Sequence, residues 1–204
     1  MKILFDFDGT VTNEETIPYV ATRMGLKQSE LIADMTMVSS IAYGDYENNL
    51  RKRIEMLKDI TIEDFVSNVP KSLLRTEIVS FIKENADICE LVSCNLDCWC
   101  SSLTSDFQVP CHFSKAIVKN GHVVAVDYIM DKRVVVAKYK RLGMKVAFVG
   151  DSVNDLTAMK AADFAILLDN GYLRMDNLNT NCHVVESEED LIEMLNRYIK
   201  GDLS

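Results

Sequence analysis

Acidic and hydroxyl side chains follow three apolar stretches of the sequence. The stretches end in Asp6-Phe7-Asp8, in Ser93-Cys94-Asn95 and in Gly150-Asp151-Ser152-Val153-Asn154-Asp155. On an extended strand, carboxylates two positions apart lie on one side, about 7 Å from each other. Unpaired, Asp6 and Asp8 would repel, and a bound cation relieves that repulsion. Mg²⁺ prefers oxygen ligands and often bridges to a substrate phosphate, so the pattern favours a magnesium site that handles a phosphate group.

Each of these pieces, taken alone, has an ordinary structural explanation. Asp-x-Asp is common in surface turns, and Gly-Asp with Asn-Asp can cap a helix. A serine after a strand is most often a turn residue. Their occurrence together, in this order and at the ends of successive strands, favours the functional interpretation.

The elements around these residues alternate between strands and helices. Strands are predicted over 2–7, 88–93, 145–150, 164–168 and 184–185, with a hairpin of 116–119 and 122–127 around Asn120-Gly121. Helices are predicted over 76–85, 97–105, 132–142, 154–161 and 188–199. This alternation predicts an α/β fold, a Rossmann-like parallel sheet with helices on both faces. Ligands of such sheets bind beyond the carboxyl ends of the strands, where the polar residues lie.

A helical stretch interrupts this alternation directly after the first strand. Residues 15–24, 29–39, 46–58 and 62–68 have helical spacing and almost no strand signal, and Val69-Pro70 is a plausible return point. We interpret residues 14–75 as an all-helical cap domain inserted into a hydrolytic core made of residues 1–13 and 76–204.

Composition limits the classes of function. The formal net charge of -9 argues against a nucleic-acid-binding protein, which needs clustered Lys and Arg. It does not exclude a small phosphorylated substrate, because a metal cation can offset the charge locally. Neither a signal peptide nor an apolar run of about 20 residues is present, so we expect a cytoplasmic protein without a membrane contact. We expect the protein to be a monomer or a homodimer. The six cysteines lack the paired spacing of a zinc site, and reduced thiols are expected.

The same segments resemble the motifs of the haloacid dehalogenase-like hydrolases. The resemblance rests on Asp6-Phe7-Asp8-Gly9-Thr10-Val11, Ser93, a downstream lysine and Gly150-Asp151-Ser152-Val153-Asn154-Asp155, and it spans essentially the whole chain in the right order. Within that superfamily the cap resembles the phosphoserine phosphatase family. Asn13-Glu14-Glu15-Thr16-Ile17 and Tyr46-Glu47-Asn48-Asn49-Leu50-Arg51-Lys52-Arg53 are similar to its substrate-binding stretches.

The resemblance implies a phosphatase that forms an aspartyl-phosphate on Asp6. Asp6 would be the nucleophile, and Asp8 would act as general acid on the leaving oxygen and then as general base for water. Ser93 would hydrogen-bond the phosphoryl oxygens. Lys132 would neutralise the charge on the phosphoryl group and on Asp6.

The choice of lysine is the least specific part of this assignment. Lys132 begins a predicted helix before the strand that leads to Asp151, and this position matches the family best. The alternatives left open by the sequence are Lys138, Lys140 and Lys115.

The resemblance also implies the cofactor, Mg²⁺. Its ligands would be the carboxylates of Asp6 and Asp151 and the main-chain oxygen of Asp8. Asn154 and Asp155 would support those ligands from the start of the next helix.

The substrate would be phosphoserine or a similar phosphorylated amino acid or metabolite. Glu15 and Arg53 match the family's ligands for the amino and carboxylate groups, and the planar fork of Arg suits a carboxylate. Cys94 and Asn95, also predicted to contact substrate, replace the two glycines that usually follow the family's serine. Side chains there occupy space that glycine leaves open, so phosphohomoserine or another small phosphometabolite is an alternative substrate.

Two other classes of function remain open at this level. A phosphotransferase or phosphomutase would use the same aspartyl-phosphate and protect it from water. A catalytically silent binding module would be expected to lack one of the motif carboxylates, yet all four are present: Asp6, Asp8, Asp151 and Asp155.

Overall fold

A seven-stranded sheet lies at the centre of the part of the chain that the computed structural model describes, residues 1–41, 46–171 and 182–203. The strands are β1 (Lys2–Phe5), β2 (Cys89–Leu96), β3 (Cys111–Lys119), β4 (His122–Tyr128), β5 (Val146–Gly150), β6 (Phe164–Leu168) and β7 (His183–Val185). They lie in the order β4-β3-β2-β1-β5-β6-β7, and all of these pairings are parallel except that of β3 with β4. The predicted α/β fold with a parallel sheet is confirmed.

In the described part of the chain, four α-helices and a 3₁₀ turn (Lys71–Leu73) separate β1 from the helix that precedes β2. The four helices are α1 (Thr16–Arg23), α2 (Ser29–Ile41), α3 (Tyr46–Met56) and α4 (Ile62–Ser67). The core helices are α5 (Thr76–Glu84), α6 (Asp97–Thr104), α7 (Lys132–Arg141), α8 (Leu156–Ala161) and α9 (Glu188–Lys200). None of the helices in the described part of the chain is long and apolar enough to cross a bilayer.

The alternation of side chains along β1 builds two apolar layers. Ile3 and Phe5 face the layer that includes α5, α6 and α9, and Leu4 faces the layer of α7 and α8. All three are completely buried, as expected for a central parallel strand with helices on both faces. The first layer continues through Ile17 and Leu50 into the predicted cap, so these helices and the sheet share one apolar cluster.

The chain leaves the core and returns to it at one place. The amide of Asn13 donates to the Leu73 carbonyl at 2.8 Å, and the amide of Arg75 donates to the Val11 carbonyl at 2.9 Å. These two bonds lie beside the predicted boundaries at residues 14 and 75. The division into core and cap domains itself stays a prediction.

The first strand is shorter than predicted. It ends at Phe5 instead of Phe7, because the amides of Val11 and Thr12 both donate to the Phe7 carbonyl at 2.9 Å and close a turn. Gly9 in that turn has a φ of +77°, which glycine adopts without steric cost. This turn brings Asp8 back over the end of the sheet.

The predicted hairpin is present, and its first strand is longer than expected. Asn120 and Gly121 both have positive φ, the signature of a two-residue hairpin turn. Strand β3 begins at Cys111 instead of Ala116, because its first residues pair in parallel with β2. That long-range pairing left no local signal in the sequence.

Candidate active site

The polar residues singled out in the sequence meet at the carboxyl ends of three adjacent strands. Asp6 and Asp8 follow β1, Ser93 to Asn95 close β2, and Asp151 follows β5. Because β2, β1 and β5 are neighbours and run in parallel, their ends lie at one edge of the sheet. Lys132, the first residue of α7, reaches this edge from the side.

Lys132 is held between two carboxylates. Its Nζ lies 2.6 Å from Asp6 Oδ1 and 2.6 Å from Asp155 Oδ1, and its side chain is 6% exposed. Burial alone would lower the pKa of Lys132, but Asp155 and Asp6 outweigh it and hold this pKa well above its usual value. The ammonium group is therefore a permanent positive charge next to Asp6.

The other three lysines make their contacts elsewhere. Lys138 Nζ donates to the Tyr139 hydroxyl at 3.3 Å. Lys140 and Lys115 form ion pairs of 2.7 Å with Asp163 and Asp97, respectively.

Three carboxylates surround this one ammonium group. Ligand oxygens of Asp6, Asp151 and Asp155 all lie within 4.8 Å of one another. Burial, followed by the charge of Asp155, raises the pKa of Asp6 well above its usual value and that of Asp151 to about 7. The negative charge of the cluster exceeds what Lys132 neutralises. Hard oxygen donors in this number fit a divalent cation such as Mg²⁺.

Asp155 has little capacity left for a metal. While Oδ1 accepts from Lys132, its Oδ2 accepts from the amides of Asp151 and Ser152 at 3.2 Å and from the Ser152 hydroxyl at 3.1 Å. A Cβ on Gly150 would lie 2.5 Å from Asp155 Cγ, so only glycine fits there. These contacts leave Asp6 and Asp151 as the carboxylates best placed to bind a cation, with Asp155 as their support.

Asp151 is oriented by two side chains that the sequence analysis missed. Thr10 Oγ1 donates to its Oδ1 at 3.2 Å, and Asn170 Nδ2 donates to its Oδ2 at 3.1 Å and to the Gly9 carbonyl at 2.9 Å. Asn170 follows β6, the strand next to β5. Its position at the carboxyl end of a neighbouring strand was the available signal.

The carboxylate of Asp8 accepts hydrogen bonds from three residues. Its Oδ1 accepts from the amide of Thr16 at 3.0 Å and from the Thr16 hydroxyl at 2.6 Å, and Ser93 Oγ lies 3.3 Å from Oδ2. Asn95 Nδ2 lies 3.1 Å from Oδ2 and 3.3 Å from Oδ1. Thr16 is the first residue of α1, so Asp8 also satisfies one of the amides that a helix start leaves unpaired.

Two charged residues of the predicted cap, Glu15 and Arg53, lie near this cluster. Arg53 is 2% exposed, and its Nη1 donates to Thr36 Oγ1 at 2.7 Å. Its buried Nε has no hydrogen-bond partner among the described residues. Burial and the nearby charges of Asp8 and Asp151 raise the pKa of Glu15 to about 8, against the opposing charge of Arg53.

A small chamber is lined both by residues of the predicted core and by residues of the predicted cap. Its volume is about 30 Å³, room for about two water molecules. It is lined by Asp6, Asp8, Glu15, Ile17, Thr36, Ser39, Tyr46, Arg53, Ser93, Cys94, Asn95, Lys132, Ser152 and Asn154. A cavity of about 780 Å³ adjoins it at Glu15 and Thr36 and also reaches Asp151.

Cys94 lies on the wall of this chamber as a neutral thiol. Burial raises its pKa to about 12, and its Sγ donates to the Met130 carbonyl at 3.3 Å. Asn154 belongs to the short 3₁₀ turn Val153–Asp155 that precedes α8. Most of the residues predicted from the sequence thus line this chamber, Asp151 lines the adjoining cavity, and their individual roles stay predictions.

The fold and these residues define a hydrolase of the haloacid dehalogenase-like class. Residues 3–160 match the family model of the haloacid dehalogenase-like hydrolases, and the chain belongs to that family.

Within the family, the chain is similar to phosphoserine phosphatases. It is 27% identical to the phosphoserine phosphatase of Methanocaldococcus jannaschii, over 97% of each chain. A phosphoserine phosphatase solved with a phospho-aspartyl intermediate analogue is 25% identical, with a TM-score of 0.76 over 95% of this chain and 96% of that one. A substrate-bound phosphoserine phosphatase complex is also 25% identical, with a TM-score of 0.78 over 95% of this chain and 98% of that one.

Proposed function

We propose that this protein is a magnesium-dependent phosphatase that hydrolyses a small phosphate monoester through an aspartyl-phosphate on Asp6. The observation that carries the proposal is the position of Asp6 in the small chamber at the carboxyl ends of the strands. Its carboxylate has the Lys132 ammonium at 2.6 Å, and Asp151 and Asp8 border the same site. A nucleophile, a fixed positive charge and a separate acid are the groups that this chemistry requires.

In the first step a carboxylate oxygen of Asp6 attacks phosphorus, and the bond from phosphorus to the leaving oxygen breaks. Asp8 gives its proton to that oxygen, so the alcohol leaves neutral. Lys132 offsets charge on Asp6 and on the phosphoryl oxygens, and Ser93 donates a hydrogen bond to them. In the second step Asp8 takes a proton from water, the water oxygen attacks the phosphorus of the aspartyl-phosphate, and Asp6 is released with inorganic phosphate.

The residues present fit the metal that this chemistry uses. Asp6, Asp151 and the main-chain oxygen of Asp8 would hold Mg²⁺, and Asp155 and Asn154 would support them. When bound, the ion supplies positive charge that stabilises the phosphoryl oxygens during transfer.

The preferred substrate on this proposal is phosphoserine or a similar phosphorylated amino acid. Glu15 would bind the ammonium group and Arg53 the carboxylate. The buried Arg53 Nε supports this, because a charged donor left without an acceptor is costly and a substrate carboxylate would supply one. The similarity to a substrate-bound phosphoserine phosphatase points to the same class of substrate.

Phosphate release from an aryl phosphate, phosphoserine, phosphohomoserine, sugar phosphates and pyridoxal phosphate, with and without Mg²⁺, tests the proposal. Asp6→Asn should lower kcat at least about 10³-fold, as expected for one member of a catalytic unit. Asp127→Asn, an exposed change on β4, is the matched control and should retain full activity. Full turnover by Asp6→Asn would refute the assignment of the nucleophile.

Hydrolysis in ¹⁸O-labelled water separates the phosphatase from a transferase that uses the same intermediate. A phosphatase transfers one labelled oxygen into each phosphate it releases. A phosphotransferase or phosphomutase passes the phosphoryl group to an acceptor and leaves the label in water.

A further inference from the structure

We propose that Asn95 is a positioning residue for Asp8, acting on the acid and base steps of the proposed phosphatase reaction. Its side chain is buried, 4% exposed, and lies against the carboxylate of Asp8. The inference rests on the proposed function, because it assigns Asn95 a part in the proton transfers of Asp8. It differs from the role expected from the sequence, where Asn95 is a substrate ligand.

The orientation of the Asn95 amide is determined by its neighbours. Its Oδ1 accepts from the amide of Leu96 at 2.7 Å, so Nδ2 must face the opposite way. There Nδ2 lies 2.8 Å from Thr16 Oγ1 and within 3.3 Å of both oxygens of Asp8. A flipped amide would place its oxygen against the carboxylate and lose all of these bonds.

Asn95 and Thr16 hold Asp8 through a closed set of hydrogen bonds. One N–H of the amide points to the two oxygens of Asp8, and the other points to the Thr16 hydroxyl. That hydroxyl in turn donates to Asp8 Oδ1 at 2.6 Å. A contact with both oxygens restricts rotation of the Asp8 carboxylate about its last side-chain torsion. That rotation determines which oxygen faces the leaving group.

The amide differs from the hydroxyl groups around Asp8 in one respect. The hydroxyls of Thr16 and Ser93 can rotate and change from donor to acceptor when Asp8 gains or loses a proton. The amide nitrogen of Asn95 is always a donor. It can therefore keep the same orientation of Asp8 in the step where Asp8 gives a proton and in the step where it takes one.

The position of Asn95 in the chain explains how a buried side chain reaches Asp8. Strand β2 pairs regularly with β3 up to Ser93, and its register then shifts before Leu96. Within this irregular stretch the main-chain N–H of Asn95 donates to Ser93 Oγ at 3.0 Å. Ser93 and Asn95 are two positions apart in β2, so both side chains lie on the side of the strand that faces Asp8.

The test compares substrates that differ in their need for an acid. An aryl phosphate such as p-nitrophenyl phosphate has a leaving group stable as an anion, whereas ethyl phosphate and phosphoserine release an alkoxide that needs a proton. The value of kcat/KM reports the steps up to departure of the leaving group and excludes hydrolysis of the aspartyl-phosphate, so the comparison of alkyl with aryl substrates reports the acid step. Asn95→Ala should lower kcat/KM for both alkyl substrates about 10- to 100-fold, and for the aryl phosphate by less than about 3-fold.

The same variant should slow the second step for every substrate, because Asp8 also serves as the base for water. With the aryl phosphate this predicts a burst of one nitrophenol per active site, followed by a slower steady rate. Asn95→Asp keeps the shape of the side chain and exchanges the donor for an acceptor, so it should show the same substrate pattern with a larger loss. Asp8→Asn removes the acid itself, so it should show the largest difference between the losses of kcat/KM for the alkyl and aryl phosphates.

Asn85→Ala is the matched control. The side-chain amide of Asn85 also donates a hydrogen bond, to the Phe81 carbonyl at 2.9 Å, but Asn85 precedes the opposite end of β2. This control should leave every kcat/KM unchanged. Circular dichroism and thermal unfolding verify that the variants are folded.

Two results would overturn the proposal for Asn95. Equal losses for aryl and alkyl substrates would indicate a general structural role. A loss for phosphoserine without a loss for ethyl phosphate would indicate a substrate ligand. If the unmodified protein released no phosphate from any of the three substrates, the proposed function itself would fail.

Discussion

Glu90 is a buried carboxylate away from the candidate site. Its replacement should show how much the hydrogen bonds and ion pairs around this carboxylate add to the free energy of unfolding. It is 1% exposed in β2, where its oxygens lie 2.9 Å from Lys2 Nζ, 2.7 Å from His112 Nε2 and 2.5 Å from the Tyr139 hydroxyl. Burial alone would raise the pKa of Glu90, but the hydrogen bonds from His112, Tyr139 and Lys2 outweigh it. They lower the pKa from 4.5 to about 2.

The size and sign of the effect follow from that pKa. Because the carboxyl of Glu90 binds a proton less readily in the folded protein than in the unfolded chain, ionisation stabilises the fold. The contribution is complete above pH 4.5 and is lost as the pH falls towards 2. At about 1.4 kcal/mol for each tenfold change in proton affinity, it amounts to about 3 kcal/mol at neutral pH.

Urea denaturation of Glu90→Gln measures this contribution. At pH 7 the variant should unfold with a free energy about 3 kcal/mol lower than that of the unmodified protein. Near pH 3 the difference should fall to about half. Glu193→Gln, an exposed change in α9, is the control and should shift the free energy by less than about 0.5 kcal/mol. A difference below about 1 kcal/mol at pH 7, or one that stays constant down to pH 3, would refute this reasoning.

Three further predictions concern the candidate site. Gly150→Ala should lower the free energy of unfolding by about 1–3 kcal/mol, because its Cβ would lie 2.5 Å from Asp155 Cγ; unchanged thermal unfolding would contradict this. Arg53→Lys should raise KM for phosphoserine about tenfold or more and leave aryl phosphate kinetics within about 3-fold, since a lysine cannot replace the bidentate fork; equal effects on both substrates would count against it. Mg²⁺ should raise the unfolding temperature by relieving repulsion in the acidic cluster, and Asp151→Asn should reduce that rise; a full rise in the variant would argue against Asp151 as a ligand.

Local chemistry was enough to predict the class of fold and the main candidate residues. The runs ending at Asp6, Ser93 and Asp151 are apolar enough to be buried strands, and buried parallel strands must end at a common edge. Polar residues placed directly after such strands therefore lie at that edge, and they meet where the strands are neighbours, as β2, β1 and β5 are. The hairpin at Asn120-Gly121 was predicted for a similar reason, because two adjacent residues with positive φ demand these types.

Tertiary structure decided the features that depend on segments distant in sequence. The sequence left four lysines as candidates, and only the docking of α7 beside the sheet brings Lys132 to Asp6. Likewise, the long pairing of β3 with β2 has no local signature. Asn95 was predicted to contact substrate, and the tertiary structure adds that its side chain hydrogen-bonds Asp8, which is far from it in sequence. Side-chain type and spacing specify which groups are available, but a hydrogen bond needs atoms within about 3 Å, and packing alone sets distances on that scale.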